Sequence, residues 1–139
     1  MLKINKSIEY ALIAIKHIKS NNSNKLFSSR DISDLYNIPY ELLSKILQRL
    51  CKLGYLKSVK GPNGGYLLKK SLSKISLIKF IEEFEGPISF SQCTIEANTE
   101  CSQFDLCNIK SPINEINNNI RELLSNMYLN EITKWGEDG

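Results

Sequence analysis

Residues 38–54 read Ile38-Pro39-Tyr40-Glu41-Leu42-Leu43-Ser44-Lys45-Ile46-Leu47-Gln48-Arg49-Leu50-Cys51-Lys52-Leu53-Gly54, and this stretch decides the fold. Leu43, Ile46, Leu47, Leu50 and Leu53 recur at steps of three and four, so they share one helix face and predict a helix from about Tyr40 to Leu53. Pro39 cannot continue a helical ladder but suits the first position of a new one, and Gly54 suits the left-handed residue that closes it. Just upstream, Ser28 can cap a shorter helix, with Asp31 near the positive end of its dipole and Ile32 and Leu35 as buried anchors. A short helix, a turn at Asn37-Ile38-Pro39 and a longer helix make a helix-turn-helix, whose second member enters the major groove of DNA. Off its apolar stripe lie Tyr40, Glu41, Ser44, Lys45, Gln48 and Lys52, which offer hydrogen-bonding groups to base edges and cations to phosphates. The same residues also suit the wet side of any surface helix.

The flanks favour the first reading. Tyr55 to Val59 and Tyr66 to Lys70 predict two short strands around Lys60-Gly61-Pro62-Asn63-Gly64-Gly65, a basic hairpin with a glycine-rich tip. Directly after a helix-turn-helix, such a hairpin is a wing: Lys57, Lys60, Lys69 and Lys70 supply charge for phosphates, and Gly61, Asn63 and Gly64 permit close backbone approach. Before the motif, Ile8, Ala11, Leu12, Ile15 and Ile18 predict a first helix over Ser7 to Lys19.

Charge follows the same division. Residues 1–74 hold 14 of the 18 Lys and Arg and 4 of the 15 acids, or +10, whereas the remainder holds 4 basic and 11 acidic residues, or −7. Such a split points the first half alone at a polyanion. A length of 139 residues suits one domain with an appended element. No apolar run approaches the ~20 residues that cross a bilayer, and the N-terminus lacks a signal-peptide core, so a cytoplasmic protein without a membrane partner is expected. No spacing of His, Cys or Ser suggests a catalytic set, so an enzyme is not expected.

Further on, Ser76 can cap a fourth helix through Phe84, closed by Gly86-Pro87. Ser111-Pro112 begins a long helix in which Ile113, Ile116, Ile120, Leu123 and Met127 alternate steps of three and four, a seam suited to a homodimer or to the protein's own core. The expected fold is mainly α with a small β-hairpin wing, a winged helix-turn-helix plus a long C-terminal dimerisation helix. Its expected divisions are 1–86 for the DNA-binding domain, 87–110 for a cysteine-containing loop and 111–139 for the dimerisation helix and tail.

That loop holds Cys93, Cys101 and Cys107 in a C-x7-C-x5-C arrangement, unlike the paired C-x2-C of most zinc modules. Three soft thiolates suit an iron-sulfur cluster with a fourth ligand from elsewhere, a zinc clip or three plain thiols. Cys51, on the apolar third helix, reads as a buried thiol.

Ile38-Pro39, Leu43-Ser44-Lys45-Ile46-Leu47-Gln48-Arg49-Leu50, Gly54-Tyr55-Leu56 and Val59-Lys60-Gly61-Pro62-Asn63-Gly64-Gly65-Tyr66-Leu67-Leu68 closely resemble the Rrf2 family of bacterial regulators, over nearly the whole chain. The resemblance implies a homodimeric winged-helix regulator on a partly palindromic double-stranded DNA operator, with Glu41, Ser44 and Lys45 on the reading helix and Lys60 on the wing. The family often has Arg at the position of Lys60, and a guanidinium fits a minor groove better. Cluster-sensing members carry three cysteines in the matching loop, which makes 87–110 a cluster-binding loop here. IscR-like members add a histidine three residues after the last cysteine as a 2Fe-2S ligand, where this chain has Lys110. NsrR-like members hold a 4Fe-4S cluster with three cysteines and an aspartate from the partner's first helix, and the matching residue is Glu9. Glutamate keeps the oxygen ligand with one more methylene, although Glu9 also suits an ordinary first-turn acid. The resemblance thus implies a repressor with Cys93, Cys101, Cys107 and Glu9 as cluster ligands, 4Fe-4S favoured over 2Fe-2S, sensing nitric oxide, redox state or iron supply. The alternatives are an IscR-type regulator of cluster biogenesis and a cluster-free winged-helix regulator with thiol-switch or zinc-binding cysteines.

Overall fold

A computed structural model describes residues 3–20, 25–91 and 101–134. They form two compact units, one built on Ile4–Leu72 and joined by Thr133, the other built on Ser73–Ile132.

In the first unit the expected helices are present as α1 (Lys6–Ser20), α2 (Ser29–Tyr36) and α3 (Tyr40–Lys52). A capping box starts α2: Asp31 N–H donates to Ser28 Oγ at 3.1 Å, and Ser28 N–H donates to the Asp31 carboxylate at 3.0 Å. These bonds favour the ionised carboxyl and hold Asp31 below its ordinary range. The turn between the helices is fixed twice over. Asn37 takes the left-handed conformation (φ 53°), and buried Ser33 donates its hydroxyl to Ile38 O at 2.6 Å while accepting Ile38 N–H at its own carbonyl. Ser33 thereby takes the inward place expected of Leu35, which is 62% exposed; Ile32 is fully buried as expected.

The stripe of α3 buries Leu43, Ile46, Leu47 and Leu50, with Leu53 half-buried at its end. Gly54 (φ 84°) closes it as expected. Gly54 N–H bonds Cys51 O and Tyr55 N–H bonds Leu50 O, the paired bonds of a Schellman cap. The hairpin follows as β1 (Leu56–Val59) and β2 (Gly65–Leu68), antiparallel with Leu56 opposite Leu68 and Val59 opposite Gly65. α1 packs on α3 and β2, and α3 packs on α2 and β1. The core is closed: Ile8, Ala11, Ile15, Leu43, Leu47, Leu50, Tyr55 and Leu56 are essentially inaccessible. Each fully buried large apolar side chain in the set contributes about 1.5–3 kcal/mol of favourable transfer free energy to the unit's core.

In the second unit α4 (Leu77–Glu85) is capped by Ser76 and buries Leu77, Ile78, Phe80, Ile81 and Phe84. It packs on α5 (Lys110–Ser125). Arg121 donates to Glu82 at 2.5 Å and to Ile88 O at 3.0 Å, which ties the segment after α4 to α5. The helix does not reach Met127. Met127 O instead accepts Leu77 N–H and Leu129 N–H bonds Ile75 O, ahead of the short α6 (Leu129–Ile132). Among the described residues, no helix is long and apolar enough to cross a membrane.

Candidate nucleic-acid interface

The face expected to read DNA is assembled in the first unit. Ser44 is half-buried, while Tyr40, Glu41, Lys45 and Gln48 are exposed along one side of α3. Together with Ser29 of α2 and Tyr66 of β2 they line an open depression of about 420 Å³. Three elements, the wing strand among them, therefore contribute to one concave surface lined by side chains that carry hydrogen-bonding groups. Ser44 lines the depression, and its hydroxyl oxygen is covered without a hydrogen-bond partner among the described residues.

At the wing tip Lys60, Gly61 and Asn63 are exposed, as a backbone contact requires. Gly61 has a positive φ of 116°. Gly64 and Gly65 serve a different end. A Cβ on Gly64 would lie 2.1 Å from Val59 O, and one on Gly65 would lie 2.6 Å from Phe27 O. The second approach exists because Phe27 pairs with the wing, accepting Tyr66 N–H at 2.9 Å. Glycine is required there because two backbones touch.

Two basic residues differ in role from the sequence reading. Lys70, expected to face phosphates, donates to Leu53 O at 3.1 Å and lies 4.4 Å from the centre of the Tyr55 ring. It caps the negative end of α3. Arg30, which no sequence motif singled out, is exposed on α2 with its guanidinium carbon 4.2 Å from the Tyr40 ring centre. Ser29 and Tyr66 were also missed, since only tertiary packing brings them to α3. His17 is engaged away from this face: its Nδ1 is 2.9 Å from the Tyr36 hydroxyl, and burial with nearby Lys25 lowers its pKa.

Of the expected metal ligands, Cys93 lies outside the described residues. Cys101 and Cys107 are free, half-buried thiols in a run of turns that leads directly into α5. Lys110 sits at the start of α5 with its ammonium 3.5 Å from the ring centre of Phe104, a residue that lies between the two cysteines in sequence. Glu9 in α1 is paired with Lys6 at 2.8 Å and keeps 43% of its side chain exposed. Partly accessible thiols such as Cys101 and Cys107 are, as thiolates, the soft donors that an iron-sulfur cluster takes. Among the described residues, no group of three or more His, Cys, Asp or Glu is gathered for a metal. Cys51 does not join this set, and burial pushes its thiol up.

Of the expected dimerisation residues, Ile113, Ile116, Ile120 and Leu123 follow one another along α5, while Met127 lies past its end. Ile116 and Leu123 are exposed, and Ile109, one step earlier in the same 4-3 alternation, is exposed too.

A helix-turn-helix followed by an antiparallel hairpin is the layout of a winged-helix DNA-binding protein. The chain matches the model of the Rrf2 family, described as an iron-dependent transcriptional regulator, over residues 4–134. It belongs to that family and is a DNA-binding transcriptional regulator. It is similar to the HTH-type transcriptional regulator NsrR of Bacillus licheniformis, with 28% identity over 131 residues, 94% of this chain and 92% of that one. The HTH-type transcriptional regulator IscR of Pectobacterium carotovorum subsp. carotovorum is 28% identical over 123 residues, 88% of this chain and 74% of its own. The fold is that of CymR (YrzC), the global cysteine regulator of B. subtilis, with a TM-score of 0.75, 23% identity, and coverage of 97% of this chain and 98% of that one.

Proposed function

We propose that this regulator is a cytoplasmic homodimeric repressor that binds a partly palindromic operator and releases it when a cysteine-ligated iron-sulfur cluster is damaged. The observation that carries the DNA half is the single concave face built from Ser29, Tyr40, Glu41, Ser44, Lys45, Gln48 and Tyr66. In this reading Glu41, Ser44, Lys45 and Gln48 meet base edges and phosphates in the major groove. Lys60, Gly61, Asn63 and Gly64 carry the wing along the minor groove. The seam from Ile113 through Leu123 joins two copies, and Met127, off the helix, is peripheral to it.

The sensing half rests on Cys101 and Cys107 beside α5, on Cys93 in sequence, and on the family's description as iron-dependent. A 4Fe-4S cluster, with 2Fe-2S as the lesser choice, would be held by these three thiolates and by Glu9 from the other copy. When bound, it supplies iron that nitric oxide or oxidants attack. Cys107 lies three residues before the first residue of α5, so thiolates held together fix the turn that opens the dimer helix. Once released, they leave that turn free and alter the spacing of the two reading heads.

The test is selection of duplexes from a random pool by the full chain, purified without oxygen, followed by titration with nitric oxide. Enrichment of a two-fold-related sequence that nitric oxide releases is expected. Duplex binding that is insensitive to nitric oxide in iron-loaded protein would remove the sensor, and no salt-dependent duplex binding would remove the DNA face. In the same protein Glu9→Ala is expected to make the cluster labile; a spectrum identical to the parent's would leave Glu9 a plain helix-start acid.

A further inference from the structure

We propose that Arg30 is a phosphate-contacting residue that sets the register of α3 on DNA, and that Tyr40 positions it. The inference rests on the reading of the concave face as the DNA-binding surface, and it adds a contact from α2 to a site otherwise built on α3 and the wing.

Arg30 is the second residue of α2, directly after Ser29, which lines the depression. Its guanidinium lies over the ring of Tyr40, the first residue of α3, and that ring lines the same depression. The cation therefore stands on the rim of the reading face, at the junction of the two helices. Its carboxylate neighbours do not engage it. Asp31 is held in the capping box with Ser28, and no ion pair joins Arg30 to Asp34, one helical turn on, among the described residues. An exposed arginine that rests on an aromatic face and forgoes an available carboxylate keeps its planar fork of N–H donors for another anion.

A phosphate is the anion that fork matches, because two parallel N–H donors meet two oxygens in a bidentate pair. In a helix-turn-helix the first helix crosses the DNA backbone while the second enters the groove, which brings the start of α2 to a phosphate. Stacking on Tyr40 links that phosphate contact to the N-terminal end of the reading helix. The distance between backbone and base edges is then fixed by a side-chain contact inside the protein. Lysine in place of Arg30 would keep the charge but lose the fork and much of the stacking.

The experiment measures affinity of the full chain for a selected duplex and for a random duplex of equal length, across a salt series. Arg30→Ala is expected to weaken both by about five- to tenfold and to reduce the slope of log affinity against log salt by about one. Arg30→Lys is expected to keep the slope and lose part of the affinity. Combined with Tyr40→Leu, Arg30→Ala is expected to cost at least about threefold less than the product of the two single losses, the sign of a shared contact. An unchanged salt slope in Arg30→Ala overturns the phosphate contact, and losses that simply multiply overturn the positioning by Tyr40. Lys45→Ala and Lys60→Ala separate this from the reading it rests on. If they weaken binding and Arg30→Ala does not, only Arg30 is misassigned; if none of the three has an effect, the face itself is not the DNA site. Thermal unfolding of each variant confirms that the exposed substitutions leave the fold intact.

Discussion

The units on either side of Leu72 solve opposite problems. In Ile4–Leu72 the apolar stripes of α1 and α3 are closed against each other and the hairpin, and the basic residues stay outside together with scattered apolar side chains such as Leu35, Leu42 and Val59. In Ser73–Ile132 the helix α4 is buried, but α5 buries only Asn117, whose side chain accepts Phe90 N–H at 3.0 Å. Ile109, Ile116 and Leu123 stand exposed along it, and Leu106 before it is 91% exposed. One region is complete as a folded object and presents a surface for a polyanion. The other presents a row of apolar side chains on and beside one helix together with free thiols, and these are the groups that the proposed dimer and cluster would cover.

That contrast can be broken by mutation, and the largest effect belongs to the closed unit. Leu47→Ala removes a fully buried side chain and should cost about 3 kcal/mol, read as a large fall in Tm. A loss under about 0.5 kcal/mol, the surface norm, would mean the core is not closed. Gly65→Ala should follow at about 1–3 kcal/mol, because its methyl meets the Phe27 backbone, which cannot give way as a side chain can. Duplex affinity should fall with it, since the wing must shift.

Ser28→Ala should remove about 1 kcal/mol through the lost cap. Its partner gives a pH dependence. The folded Asp31 carboxyl titrates below its unfolded value, so its contribution is present above the unfolded pKa and fades as pH falls through the folded one. Asp31→Asn should therefore be less stable than the parent at neutral pH, with the gap closing in acid. A gap that persists unchanged below the carboxylate range would contradict the capping account. The smallest effect on the folded protomer is expected from Leu123→Ala, within about 0.5 kcal/mol, because the side chain is already in solvent. Its effect should appear in the concentration dependence of dimer dissociation. A large loss in the protomer's own stability would place Leu123 in the chain's core.

Wherever one local rule decides, the sequence was readable. The stripe of α3, the Ser28 cap, the left-handed Gly54 and the hairpin order all follow from spacing and residue type. The reading failed where distant residues meet. Leu35 has helical spacing for burial, but the buried face of α2 runs through Ile32 and Ser33, whose hydroxyl bonds Ile38 O, and Leu35 lies off it. Met127 continues a 4-3 pattern, but its carbonyl bonds α4 and the helix stops short of it. Lys70 looks like wing charge until Leu53 O appears beside it. The concave face was half legible: α3 announced its own residues, while Ser29, Arg30 and Tyr66 join them through packing that no local pattern encodes.

The central claim is that a DNA reader of closed construction is governed by an unfinished, cysteine-bearing partner region. The most direct measurement is the iron and sulfide content and visible spectrum of the full chain purified without oxygen, before and after nitric oxide. Brown protein with iron and sulfide in cluster ratio, bleached by nitric oxide, is the predicted result. Colourless protein with stoichiometric zinc would contradict it.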